Sequence, residues 1–127
     1  MQRGHDFADL RQDPFLTSAY LRSARAPGRD PAPRHGELMA STDMGNVSHA
    51  VPSLHPRLGY DAGGALQHTA DFARHGTGTG TDRAVLDGAT ALAHVAVELA
   101  TDPRRRADFL SRVEPRRAAA GAGHEPD

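Results

Sequence analysis

A chain of 127 residues with a formal net charge of −1 is one domain at most, and its charge balance gives no electrostatic support to nucleic-acid or acidic-membrane binding. It has no cysteine, which excludes disulfides and thiolate metal sites and removes any argument for an oxidising compartment. No apolar run approaches the ~18–20 residues of a membrane span and Met1 to Asp6 lacks a signal-peptide core, so the expectation is a soluble, cytoplasmic protein.

All fifteen basic residues are arginine, and there is neither lysine nor isoleucine, a pattern of GC-rich coding rather than of arginine chemistry. Leu, Val and Phe together make 21 residues, about 17% of the chain, below the ~20% level associated with disorder. A folded chain of this length buries about two-thirds of its unfolded surface. So few large side chains predict a marginal domain, or a piece that expects neighbours.

Residues 1–12 are polar and read as an irregular lead-in. Asp13-Pro14 is a helix start, with Asp as N-cap and Pro at the first position, and predicts a helix over Phe15–Arg25. Pro27-Gly28 ends it, and a proline-containing connector follows. Glu37 to Ala40 and Arg57 to Tyr60 are candidates for short strands, with Pro56 tolerable only at the start of the second. Asp61 to Gly64 is a turn, and Thr69 to Phe72 fits a short helical turn.

The run Gly76 to Thr81 (GTGTGT) is low in complexity and predicts a mobile link. Thr81 or Asp82 then caps the longest helix, Arg83 to Ala100, with apolar residues at helical spacing. Asp102-Pro103 repeats the cap-plus-proline device before a helix over Arg104–Val113, and Glu114-Pro115 stops it. The segment 115–127, rich in Ala, Gly, Arg and Pro, predicts a disordered tail. The expectation is an α/β fold with one or two short strands and about three helices, its folded part spanning 13–114.

The chemistry concentrates between Met39 and Phe72, which holds Asp, Asn, Ser, Thr and three histidines with little apolar periodicity. That is the composition of site-forming loops. Read by itself, Ser41 to Ser48 is a turn in which Asp43 or Asn46 bonds nearby amides and Gly45 takes positive φ. His68 follows a glycine-rich turn; imidazole is the commonest protein ligand for zinc, but a lone loop histidine is more often exposed or capping, and a zinc site needs three or four ligands. Arg104 to Arg106 reads as a solvated face. His49 reads as a solvated or hydrogen-bonded side chain.

The wording Ser41-Thr42-Asp43-Met44-Gly45-Asn46-Val47-Ser48, then Val51-Pro52, Leu54-His55-Pro56 and His68-Thr69-Ala70-Asp71-Phe72, resembles the C-terminal part of the zinc-dependent peptidase and amidohydrolase family. That family contains aminoacylase, carboxypeptidase G and p-aminobenzoyl-glutamate hydrolase; the branch it looks most like is that of β-alanyl-lysine dipeptidase. The resemblance covers roughly Asp13 to Val113. It implies a C-terminal fragment of a catalytic domain that hydrolyses amide bonds of small N-acyl amino acids or dipeptides with two zinc ions.

By that resemblance His68 is the family's last metal ligand. Asp43, Asn46, Ser48 and His55 line the substrate side of the cleft. The family's His-x-Asp element and Glu-Glu pair, which supply the bridging carboxylate, further ligands and the general base, are absent here, as is the inserted dimerisation domain. No catalytic residue is therefore assigned, and no activity is expected of this chain alone. Its expected partners are a small peptide or N-acyl amino acid in the complete enzyme, and a chain supplying the missing catalytic half or a second copy. The alternative is a non-catalytic relic or partner module.

Overall fold

The computed structural model describes residues 8–31 and 42–122, and among these every element is a helix. Asp13 starts the fold. Its Oδ1 accepts from the amides of Phe15 and Leu16 at 3.0 and 3.1 Å, and Pro14 at the first position needs no amide partner. The resulting helix α1 (Pro14–Arg25) buries Leu16, Ala19, Tyr20 and Ala24, one stripe at helical spacing.

That stripe packs on the long helix α4 (Thr79–Thr101), which contributes Ala91 and Val95. Between them in the chain lie the short helices α2 (Met44–Ala50) and α3 (Ala70–Arg74), the latter running into a 3-10 turn at His75–Thr77. Phe15, Leu54, Leu99 and Phe109 close the rim of the core. Among the described residues only Leu16, Tyr20 and Val95 are large apolar side chains that are buried, each worth about 1.5–3 kcal/mol, so the thin core inferred from composition is present in space.

Polar links supplement it. Arg22 meets Glu98 at 2.9 Å, and Arg29 meets Asp87 at 2.8 Å. Ser23 Oγ lies 2.7 Å from His94 Nδ1.

Asp102 caps α5 (Pro103–Ser111) by accepting from the amides of Arg104 and Arg105. That helix returns toward α1, with Arg105 over the Phe15 ring at 5.3 Å. Helix α6 (Val113–Ala122) then packs on α2. Pro115 falls in its first turn, where the missing amide is harmless.

Four expectations are corrected. The α/β fold is overturned: the described residues contain no strand, only an isolated parallel bridge between Gln12 and Ser53. Arg57 to Tyr60 runs without ladder partners, and a lone extended segment cannot satisfy its own amides as a strand. The other strand candidate, 37–40, lies outside the described residues.

Of the run Ser41 to Ser48, Ser41 lies outside the described residues, and the rest is not an open loop, because α2 begins at Met44, and Gly45 does not take positive φ. The Gly-Thr run is not a mobile link, because Thr79 to Thr81 form the first turn of α4. Residues 115–122 are helical rather than a disordered tail.

Helix α4 also changes the reading of apolar runs. By length and composition it is long and apolar enough to cross a membrane. Within the fold, one of its faces is packed on α1, and Asp87 and Glu98 are paired with α1 and its flank.

Candidate functional site

Residues 8–12 lie as an extended strap along α2. The Ala8 amide donates to Asn46 Oδ1 at 2.8 Å, and the Arg11 amide donates to Ser48 Oγ at 2.8 Å. The strap touches the helix closely at Gly45, where an added Cβ would stand 1.9 Å from the Ala8 carbonyl oxygen. Glycine is required there for close approach rather than for its backbone freedom.

Ser48 is wholly buried and fully engaged. Its hydroxyl accepts from Arg11 and donates to the Gly45 carbonyl at 2.6 Å, while its own carbonyl accepts from Arg116 Nη1 at 2.8 Å. His49 Nε2 sits 3.0 Å from the Asp9 carbonyl and 3.3 Å from its carboxylate. The His55 amide donates to Gln12 Oε1 at 3.1 Å, beside the Gln12–Ser53 bridge.

Asn46, Ser48 and His55 are thus brought together by one strap, and the polar groups named for them here serve that strap. Asp43 differs. It stands exposed at the start of α2, and its carboxylate makes no capping bond; a 3.4 Å contact from Thr42 Oγ1 is its side-chain partner.

His68 is displayed on a separate loop. The Asp61 carboxylate accepts from the Gly63 amide at 2.9 Å, and the Ala65 amide closes on the Ala62 carbonyl at 2.9 Å. Gly63 and Gly64 take φ of 58° and 80°, and the His75 ring lies over Gly63. Arg57 Nη2 reaches Gln67 Oε1 at 2.9 Å, and the Tyr60 and Phe72 rings meet at 5.5 Å across the loop base.

Thr69 then bonds the Leu66 carbonyl and caps α3 through the Phe72 amide. His68 sits between these anchors with φ of 63°, the one non-glycine residue of positive φ among the described residues. Histidine is several-fold enriched in that region relative to other side chains, so the strain is tolerable, and such strain gathers at functional positions. His68 is exposed.

No hydrogen bond or ion pair among the described residues links His68 to Asp43, Asn46, Ser48 or His55. Nor do the described residues contain any group of three or more His, Asp or Glu side chains placed to hold a metal ion. The donors present do not fit the two-zinc site of the resembling family, so no catalytic step through zinc is derived for this chain.

Two open clefts flank these elements. One, of about 290 Å³, is lined by Arg11, His49, Pro115, Arg116, Ala119 and Ala120. The other, of about 280 Å³, lies over the start of α4, between Asp61, Arg74, His75 and the Gly-Thr run. Sequence reading missed the roles of Arg11 and Arg116. The first lay in the lead-in and the second in the supposed tail, and no local pattern marks either.

The chain is 30% identical over 102 residues to Xaa-Arg dipeptidase of Mus musculus. The match covers 78% of this chain and 23% of that relative, so the chain spans about a quarter of the length of the curated relative it matches. No family model matches the chain, and no solved structure matches it. The similarity is a distant one, to a peptidase.

Proposed function

We propose that this chain is the C-terminal section of a metal-dependent dipeptidase or amidohydrolase catalytic domain, contributing one wall of the site rather than the whole of it. The observation that carries this reading is the similarity to a dipeptidase along most of this chain, set beside its small share of that relative. In the complete enzyme His68 supplies one imidazole donor, held outward on its clamped loop, and Asp43 lies exposed to orient a polar group of the substrate. The substrate class is a dipeptide or small N-acyl amino acid, and the metal is zinc. The described residues hold no group of three or more ligating side chains, and on this reading the remaining ligands come from the rest of the domain.

The test is a chimera. The section of the Mus musculus relative that matches this chain is replaced by these residues, and dipeptide hydrolysis and bound zinc are measured with and without His68→Ala. The expected result is metal-dependent hydrolysis that falls at least tenfold in the His68→Ala chimera, with loss of bound zinc. A folded chimera without activity, or one indifferent to His68→Ala, overturns the reading. So does clear turnover by the purified 127-residue chain.

The exposed outer face of α4 favours a second reading, a partner module without catalysis of its own.

A further inference from the structure

Helix α4 buries one side and leaves the opposite side bare. Ala84, Ala91 and Val95 face inward. Diametrically across from them, Leu86, Ala89, Ala93, Ala96 and Ala100 form a stripe that is exposed throughout, with Leu86 at 64% and the flanking Leu92 and Val97 at 45% and 57%. With Asp82 at its head, the spacing of this stripe is four, three, four, three, four. That is a heptad seam, the pattern by which one helix packs along another.

We infer that this seam is the contact between two copies of the chain, paired antiparallel through α4 about a two-fold axis level with residue 91. Two features of the structure choose this occupant and this orientation. First, antiparallel heptad pairing sets Leu86 against Ala96 of the second copy and Ala89 against Ala93. The one large residue of the seam therefore meets a small one, and the helices approach closely.

Second, the same register sets Asp82 against Ala100 of the second copy. The guanidinium of Arg106 stands there, its Nη1 2.6 Å from the Ala100 carbonyl. Asp82 is exposed and has no ion pair or hydrogen-bonding side-chain partner within its own chain among the described residues. The pairing thus gives each free carboxylate a cation at both ends of the seam, whereas a parallel pairing places like charges together.

A contact of this kind is isologous, each copy offering the same patch, and so closes as a two-fold dimer. The inference rests on the helical packing and not on the proposed catalytic role, so either can fail without the other.

The experiment is sedimentation equilibrium of the full chain over a concentration series, with circular dichroism to confirm that each variant is folded. The wild type should sediment as a dimer that dissociates on dilution. Leu86→Glu should raise the dissociation constant at least tenfold with helicity unchanged. Asp82→Arg should also weaken the dimer, and the double variant Asp82→Arg with Arg106→Asp should restore it; that rescue reports the antiparallel register.

A wild-type chain that stays monomeric overturns the inference, which is the outcome if the remainder of a longer enzyme covers this face. Failure of the double variant to rescue overturns the register. Flotation with vesicles of neutral phosphatidylcholine, in place of self-association, also overturns it, because the face would then be seeking lipid.

Discussion

Arg112 Nη1 lies 2.6 Å from Oδ2 of Asp13, joining residues 99 apart in the chain. Asp13 is wholly buried and uses every polar group: Oδ1 caps α1, its amide donates to the Ser53 carbonyl at 2.8 Å, and its carbonyl accepts from Thr17. Arg112 is itself held by Asp108 at 3.1 Å and lies over the Phe109 ring. One aspartate therefore ties the start of α1, the segment after α2 and the end of α5 together.

Removing Arg112 leaves that carboxylate oxygen buried without its cation. Breaking a fully buried pair costs about 3–5 kcal/mol, and the partial solvation of Arg112 lowers the expectation for Arg112→Ala to about 2–3 kcal/mol. In a domain with so thin a core this is a large share of the total. Urea denaturation of the two proteins measures it, and a change under about 0.5 kcal/mol would remove the pair from any account of stability.

Gly45→Ala is expected to detach the strap. The added Cβ meets backbone, the Ala8 carbonyl, which cannot swing aside as a side-chain tip can. Overpacking of this kind costs about 1–3 kcal/mol. Amide exchange gives the specific signature: protection at Ala8 and Arg11 should be lost while the α1–α4 core stays protected. Retained protection at both amides would show that the strap can yield without leaving.

The helices with their own signals were legible in the sequence. Asp13-Pro14 and Asp102-Pro103 act as read, and α1 buries its apolar stripe; α4 forms over the expected run, but Ala84, Ala91 and Val95 face the core while Leu86, Ala89, Leu92, Ala93, Ala96 and Ala100 of its apolar spacing stay exposed. What was not legible depends on distant partners. MGNVSHA has no apolar stripe of its own, and α2 is held by the strap's bonds to Asn46 and Ser48 and by α6. The Gly-Thr run has poor helix propensity, but it continues from a long helix already nucleated, so adding a turn is cheap.

Residues 115–122 were misread because alanine-rich composition resembles a tail, although alanine is the best helix former. The strand at Arg57 to Tyr60 was expected from a short apolar run, and a strand needs a neighbour that the described residues do not provide. At the site, the Gly63-Gly64 turn and the Thr69 cap around His68 were readable from local chemistry. The engagement of Ser48 was not, since its partners lie 37 and 68 residues away.

Asp87 should give the chain a pH-dependent stability. Arg29 Nε donates to Oδ2 at 2.8 Å and Arg83 Nε to Oδ1 at 2.9 Å, and Arg29 also reaches the Gly59 carbonyl. The hydrogen bond from Arg29 is the main cause that holds the carboxyl below the usual aspartate range; burial opposes it and Arg83 assists. A group whose pKa is lower folded than unfolded stabilises the fold above the unfolded value, and that stabilisation disappears as pH falls through the folded one. The loss is therefore expected below about pH 4. Asp87→Asn should flatten the stability curve in that acid window relative to wild type, as followed by urea melts at successive pH values; parallel curves would contradict the assignment.

His68→Gly separates the imidazole from the backbone that presents it. At a φ of 63° a β-carbon is strained, by about 1–2 kcal/mol for an ordinary L residue and less for histidine, while glycine takes the conformation freely. Because the side chain is exposed and its ring makes no hydrogen bond or ion pair among the described residues, His68→Gly is expected to leave the melting temperature unchanged or raise it. His68→Ala should lower it slightly, since it keeps the strain and loses the tolerance of histidine for this region. Thermal melts of the three proteins give the order, and a marked fall for His68→Gly would mean that the ring itself holds the loop. With the expected order, His68→Gly becomes the cleaner variant for the chimera: any loss of zinc or hydrolysis there reports the missing donor and not a collapsed loop.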